Sequence, residues 1–246
     1  DLKGGADFLS MGEGIPAGTG VAHAFRSGSS PDDAAAMLAD LQAMRADMEK
    51  RYARIRAIVK EDLSRCPEGK VTRELANDRA LGLHPVVLAI DETQVCFSDW
   101  EQAKEFTAIV TDLVKRGPAA GIITLLATQN VDSATIPKSI SRMASIRFAL
   151  RVTDHVATDL ILGTGAYSKG FRASELSIDD MGIGYLAGEG DLTRLVRCCF
   201  VDGPDANRIV GRARQLRIAA GRLTGLAAGE ELEIDKPTDS VIEHLW

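Results

Sequence analysis

Two adjacent carboxylates close an apolar run in this sequence. Residues 85–94 read PVVLAIDETQ: Val86, Val87, Leu88, Ala89 and Ile90 are apolar, and Asp91 and Glu92 follow with no transition. A strand of this kind ending in Asp-Glu sets two acids where parallel sheets bind ligands, at the carboxyl ends of their strands. There an Asp can hold the shell of a magnesium ion and a following Glu can polarise an attacking water, the Walker B division of labour. The same stretch also fits a solvated strand end with two turn-forming acids. A second apolar strand, GIITLLAT over 121–128, ends in Thr128-Gln129. Polar side chains at the same edge can touch the γ-phosphate of a nucleotide and report its presence, which favours the phosphate chemistry.

Cradling a phosphate also needs the N–H groups of a Gly-rich loop and a lysine. The sequence has no Gly-x-x-x-x-Gly-Lys-Ser/Thr; Gly69-Lys70 is followed by Val71 inside a polar stretch. Basic residues are local: Lys115 and Arg116 end a helical pattern, Arg147 and Arg151 stand four apart on an expected strand and so share a face, and Lys138 and Arg142 lie in the loop after Gln129. Arg208, Arg212, Arg214 and Arg217 fall on different faces of a late helix, which reads as a solvated surface.

The elements that must position these groups alternate. Ser30, Pro31, Asp32 and Asp33 open a long amphipathic helix over 30–60, with Met37, Leu38, Leu41, Met44, Met48, Tyr52, Ile55 and Val59 on its stripe. Strands are expected at 85–90, 121–128 and 145–152, a helix at about 99–116, a helix or turn at 154–162, a β-hairpin from 182–188 and 193–201, and a helix over 205–221. Continuously apolar strands between helices predict an α/β fold whose largely parallel central sheet is covered on both faces. The chain of 246 residues, 45% hydrophobic and 26% charged, is of ordinary globular composition, and its net charge of −6 confines any nucleic-acid contact to local patches. Cys66, Cys96, Cys198 and Cys199 lack Cys-x-x-Cys spacing and His23, His84, His155 and His244 are scattered, so neither a zinc site nor a disulfide framework is expected. No run is long enough to span a bilayer, and a cytoplasmic setting is expected.

In order and approximate spacing, DLKGG, MRADMEKRY, VVLAIDE, GIITLLATQ, SIRFALRV and GIGYL resemble successive blocks of the FtsK/SpoIIIE family of DNA-translocating ATPases, over residues 1 to about 201. The stretch from Lys115 to Val152 is most similar to the actinobacterial branch of conjugative plasmids, integrative elements and phages. The resemblance implies a RecA-like P-loop NTPase fold, ATP with Mg²⁺, a homo-oligomeric ring (usually a hexamer), double-stranded DNA in its pore, and any membrane anchor outside this sequence. It assigns Asp91 to magnesium, Glu92 to water activation, Gln129 to γ-phosphate sensing, Asp1 and Lys3 to a turn beside the nucleotide, and Lys138 and Arg142 to the pore, with Thr128 a sensor candidate from its place at the strand end. Leu2 replaces the proline common in that turn. Arg147 matches an Arg of the family pattern; with Arg151 it reads nucleotide state across a subunit boundary or pairs with acids. Pro118 stands where many relatives carry an Arg, leaving Arg116 as either a trans-acting finger or an ordinary basic helix end. The family's P-loop precedes the DLKGG-like block, so it is expected upstream of Asp1, with a motor domain over 1–222 and a polar tail over 223–246. Two rivals remain: a type VII secretion motor acting on protein, and a RecA-like module that only assembles.

Overall fold

A computed structural model describes residues 1–99, 101–131, 136–188, 190 and 192–230. The chain divides into two compact units, 1–44 with 202–246, and 45–201. The expected boundary at 222 falls inside the first of these, and residues 231–246 of the expected tail lie outside the described residues.

The long helix forms as its sequence dictates. Helix α2 spans Pro31–Glu61, after a short α1 at Leu9–Gly12. Ser30 and Asp33 cap it reciprocally: the Asp33 N–H donates to Ser30 Oγ (3.1 Å) and the Ser30 N–H donates to Asp33 Oδ2 (3.0 Å). In the second unit Ile55 and Ile58 of α2 pack with Cys66, Leu75 and Leu83. The polar stretch 64–84, a loop or short helix by its sequence, contributes to this core and carries a short helix α3, Arg73–Asn77, capped by Thr72.

Strand β1 (Val86–Ile90) pairs in parallel with β2 (Ile122–Leu126), and α4 (Ala103–Arg116) connects them after a π-helical turn at Val95–Asp99. Phe106, Ile109, Val110 and Leu113 are the buried stripe of α4. The sheet is not covered on both faces as its apolar run predicts. Val86, Leu88 and Ile122 point inward, whereas Val87, Ile123 and Leu125 are 63%, 54% and 55% exposed, because side chains alternate across a strand and no described element lies over that second face.

The expected third parallel strand is also corrected. Strand β3 is short, Arg147–Ala149, and pairs antiparallel with β4 (Ile183–Ala187), which pairs antiparallel with β5 (Arg194–Arg197). The β4–β5 pair occupies the positions read as a hairpin. Helix α5 (Lys138–Ser141) precedes β3, and α6 (His155–Leu162), capped by Asp154, follows it. Asp159 of α6 accepts the N–H groups of Gly165 (3.0 Å) and Tyr167 (2.8 Å) and so shapes the glycine-containing loop. In the first unit α7 (Gly203–Ala219) is tied to the N-terminal loop by Arg214, which donates to the carbonyls of Gly20 (2.6 Å) and Ala227 (2.8 Å), and by Arg217, which donates to Val21.

Candidate active site

The register Val86↔Ile122 through Ile90↔Leu126 makes both strands end at one edge. The pairing continues past them. Ala127 N–H donates to Ile90 O (2.9 Å), and Thr93 donates to Ala127 O through both its N–H (3.0 Å) and its hydroxyl (3.1 Å). Asp91 and Glu92 therefore form an elbow fixed on both sides. Glu92 takes φ +54°, the left-handed region that a side chain other than glycine, asparagine or aspartate rarely adopts. It is only 3% exposed, whereas Asp91 is half-buried.

Gln94 holds the buried carboxylate, and Thr128 in turn holds Gln94. Gln94 Nε2 donates to Glu92 Oε2 at 2.7 Å, and the Thr128 hydroxyl lies 2.6 Å from Gln94 Oε1. An ionised carboxylate only accepts, so the Gln94 amide nitrogen must face Glu92, which leaves its oxygen for Thr128. The Thr128 hydroxyl is also 2.9 Å from Asn130 O and accepts the Asn130 N–H at 3.2 Å. Of the residues singled out from the sequence, Asp91, Glu92, Thr128 and Gln129 thus meet at one edge, Gln129 on the exposed side. Gln94 was missed. Its signal was present as an amide two residues past Glu92 in DETQ, within reach of an elbow but not of a regular strand.

The basic residues divide. Arg116 ends α4 against Glu49 (2.5 Å) and Asp112 (3.2 Å), with its guanidinium over the Tyr52 ring (5.0 Å). Arg116 in turn holds the Glu49 carboxyl below the usual carboxylate range. Arg147 donates to the carbonyls of Ala144 (3.1 Å) and Ser141 (2.8 Å), satisfying the end of α5. Arg151 does not share a strand face with it as expected: β3 stops at Ala149, and Arg151 donates to Leu176 O (3.1 Å) beyond the strand. Lys138 and Arg142 stand at the two ends of the single turn of α5, four apart and hence on one face, both exposed and without an ion pair to any described residue. Ile140 is buried beneath them and Ser139 lies 3.3 Å from Thr111 of α4. Residues 132–135 of the same loop lie outside the described residues. Asp1 and Lys3 belong to the other unit, where Asp1 Oδ1 accepts the Lys3 N–H at 3.0 Å and Gly4 turns at φ +68°.

For a magnesium ion, the donor set fits one arriving with its phosphates. No group of three or more His, Cys, Asp or Glu side chains converges among the described residues. Mg²⁺ needs only one or two carboxylates when phosphate oxygens and water supply the rest, and Asp91 is the accessible acid of the pair.

No protein-family model and no curated protein matches the chain. Solved structures do. The pCW3 conjugation coupling protein TcpA, in its monomer form with ATPγS, superposes with a TM-score of 0.60 at 16% identity, covering 78% of this chain and 51% of that one. The cytoplasmic domain of the type VII secretion ATPase EccC from Thermomonospora curvata gives a TM-score of 0.56 at 21% identity, covering 88% of this chain and 23% of that one. The chain shares their fold. This mixed α/β fold with a parallel sheet agrees with the FtsK/SpoIIIE resemblance read from the sequence. The chain spans about half the length of the coupling protein and about a quarter of the secretion ATPase. No described helix is long and apolar enough to cross a membrane.

Proposed function

We propose that this chain carries the metal- and water-activating edge of an ATP-driven, RecA-like motor of FtsK/SpoIIIE type that moves double-stranded DNA. The observation that carries it is the Asp91-Glu92 elbow: a buried glutamate in a left-handed conformation, side by side with an accessible aspartate, at the end of a parallel strand whose neighbour ends in Thr128-Gln129. A strand end serving only as a turn has no use for a buried carboxylate with its own amide donor. In this reading Asp91 joins the shell of Mg²⁺, which would hold the β- and γ-phosphates and neutralise charge on them. Glu92 orients the attacking water and Thr128 and Gln129 sense the γ-phosphate. Lys138 and Arg142 offer two cations on one exposed face, suited to tracking a phosphate backbone without reading bases.

The test is nucleotide binding and duplex-stimulated ATP turnover by the longest natural reading frame that contains this sequence. Glu92→Gln keeps shape and an acceptor for Gln94, so ATP binding stays near the parent while turnover falls by at least about a hundredfold. Asp91→Ala weakens the Mg²⁺-dependent part of binding. Parental turnover in both variants returns the two acids to a plain turn. The likeness to EccC over 88% of this chain supports a second reading, a motor acting on protein. Turnover that responds to an unfolded polypeptide and not to duplex DNA would favour it.

A further inference from the structure

We propose that Gln94 is a positioning residue that ties the end of β2 to the Glu92 carboxylate, an assignment that rests on reading Glu92 as the water-orienting base. Three side chains from two neighbouring strand ends form one chain of hydrogen bonds, Thr128 to Gln94 at 2.6 Å and Gln94 to Glu92 at 2.7 Å. Each link has one sensible direction. When Glu92 is ionised, as the role of base requires, it only accepts, the amide oxygen faces Thr128, and the hydroxyl supplies the proton. The Glu92 Oε2 edge is thereby fixed while the elbow fixes the backbone beneath it.

The position of Thr128 gives this arrangement its meaning. Thr128 directly precedes Gln129 at the edge where a γ-phosphate would be sensed, and its hydroxyl stands between two acceptors, Gln94 Oε1 and, at 2.9 Å, Asn130 O. One proton cannot serve both fully. A shift of the 128–130 strand end that moved this proton from Gln94 to the Asn130 carbonyl would weaken the hold of Thr128 on the amide that orients Glu92. The strand end beside the phosphate edge is thereby linked to the Glu92 carboxylate through two hydrogen bonds. The buried position strengthens the link, since a donor to an ionised carboxylate in poor solvent contact is a charge-assisted bond.

Steady-state turnover of the longest natural reading frame containing this sequence tests the assignment. Gln94→Met, near in shape but with no donor, lowers kcat by about ten- to a hundredfold with KM within about threefold of the parent, as loss of a hydrogen bond to a charged group implies. Thr128→Val also lowers kcat, and the Gln94→Met, Thr128→Val double variant loses less than the product of the two single losses. Single-turnover rates in a Glu92→Gln background separate positioning from general support: there Gln94→Met has no further effect. A Gln94→Met kcat within twofold of the parent, or a loss of equal size in the Glu92→Gln background, overturns the proposal. Parental turnover in Glu92→Gln itself overturns the reading of Glu92 instead, so the two failures are told apart.

Discussion

The side chains around the β1–β2 edge show what the sequence pattern conceals. Thr124 sits between Ile123 and Leu125 on the inward side of β2, and its hydroxyl is buried with no hydrogen-bond partner among the described residues. Thr124→Val removes that orphan at constant shape, and urea unfolding should show a gain of about 1 kcal/mol. Asp159 makes the opposite case. The N–H groups of Tyr167 first and Gly165 second hold its carboxyl below the usual carboxylate range. A carboxylate depressed in the folded state stabilises it fully above its ordinary value of 3.8, and that contribution is lost as pH falls through the lower folded value. Asp159→Asn should therefore lower the melting temperature at neutral pH, with the gap to the parent closing below about pH 4 in thermal scans. At this scale the meeting of Asp91, Glu92, Thr128 and Gln129 at one strand edge was legible, because two apolar runs that end in polar residues suffice to place them there. Gln94 was not, since its contact depends on the left-handed elbow, which a Glu gives no sign of.

Elements followed their periodicity where one side chain pattern dominated. The cap at Ser30 and the apolar spacing fix α2, and the run before Asp91 fixes β1. The antiparallel pairing of β3 escaped, because SIRFALRV is apolar enough for either sheet and only the partner decides. Arg51 escaped as well. It lies on the buried side of α2, 2% exposed, and donates to Asp47 (2.6 Å) and to the carbonyls of His84 (2.8 Å) and Ala120 (3.3 Å), the residues just ahead of the two parallel strands. A charge inside an amphipathic stripe reads as an interruption, yet here it fastens the helix to the starts of both strands. Arg51→Met leaves two carbonyls without this donor. The expected cost is about 2 kcal/mol in urea unfolding, with Asp47→Ala costing less because that carboxylate is half exposed.

For the whole molecule, a negative net charge confines the DNA contact proposed above to a local face. On that proposal Lys138 and Arg142 are the candidates, and three of the helix arginines are engaged elsewhere: Arg208 pairs with Asp205 (2.8 Å), while Arg214 and Arg217 are committed to backbone carbonyls. Anisotropy with duplex DNA at several salt concentrations, on the longest natural reading frame, should show Lys138→Ala, Arg142→Ala weakening binding on all sequences alike and flattening the log affinity–log salt slope by about one for each lost contact. Arg212→Ala, on the exposed side of α7, should leave the slope unchanged. The overall architecture was legible as α/β because helices and apolar strands alternate. The bare face of Val87, Ile123 and Leu125 was not, because alternation within a continuously apolar run carries no mark of which side is covered.

The left-handed elbow at Glu92 sets a direction for evolutionary drift. Folding alone would choose glycine or asparagine at this position, and under the function proposed above glutamate is kept there for its chemistry. Copies of this module that have lost their catalytic duty should therefore replace residue 92 early, by glycine or asparagine before alanine or valine, and well before the neighbouring Thr93, whose two bonds to Ala127 serve the fold in every copy.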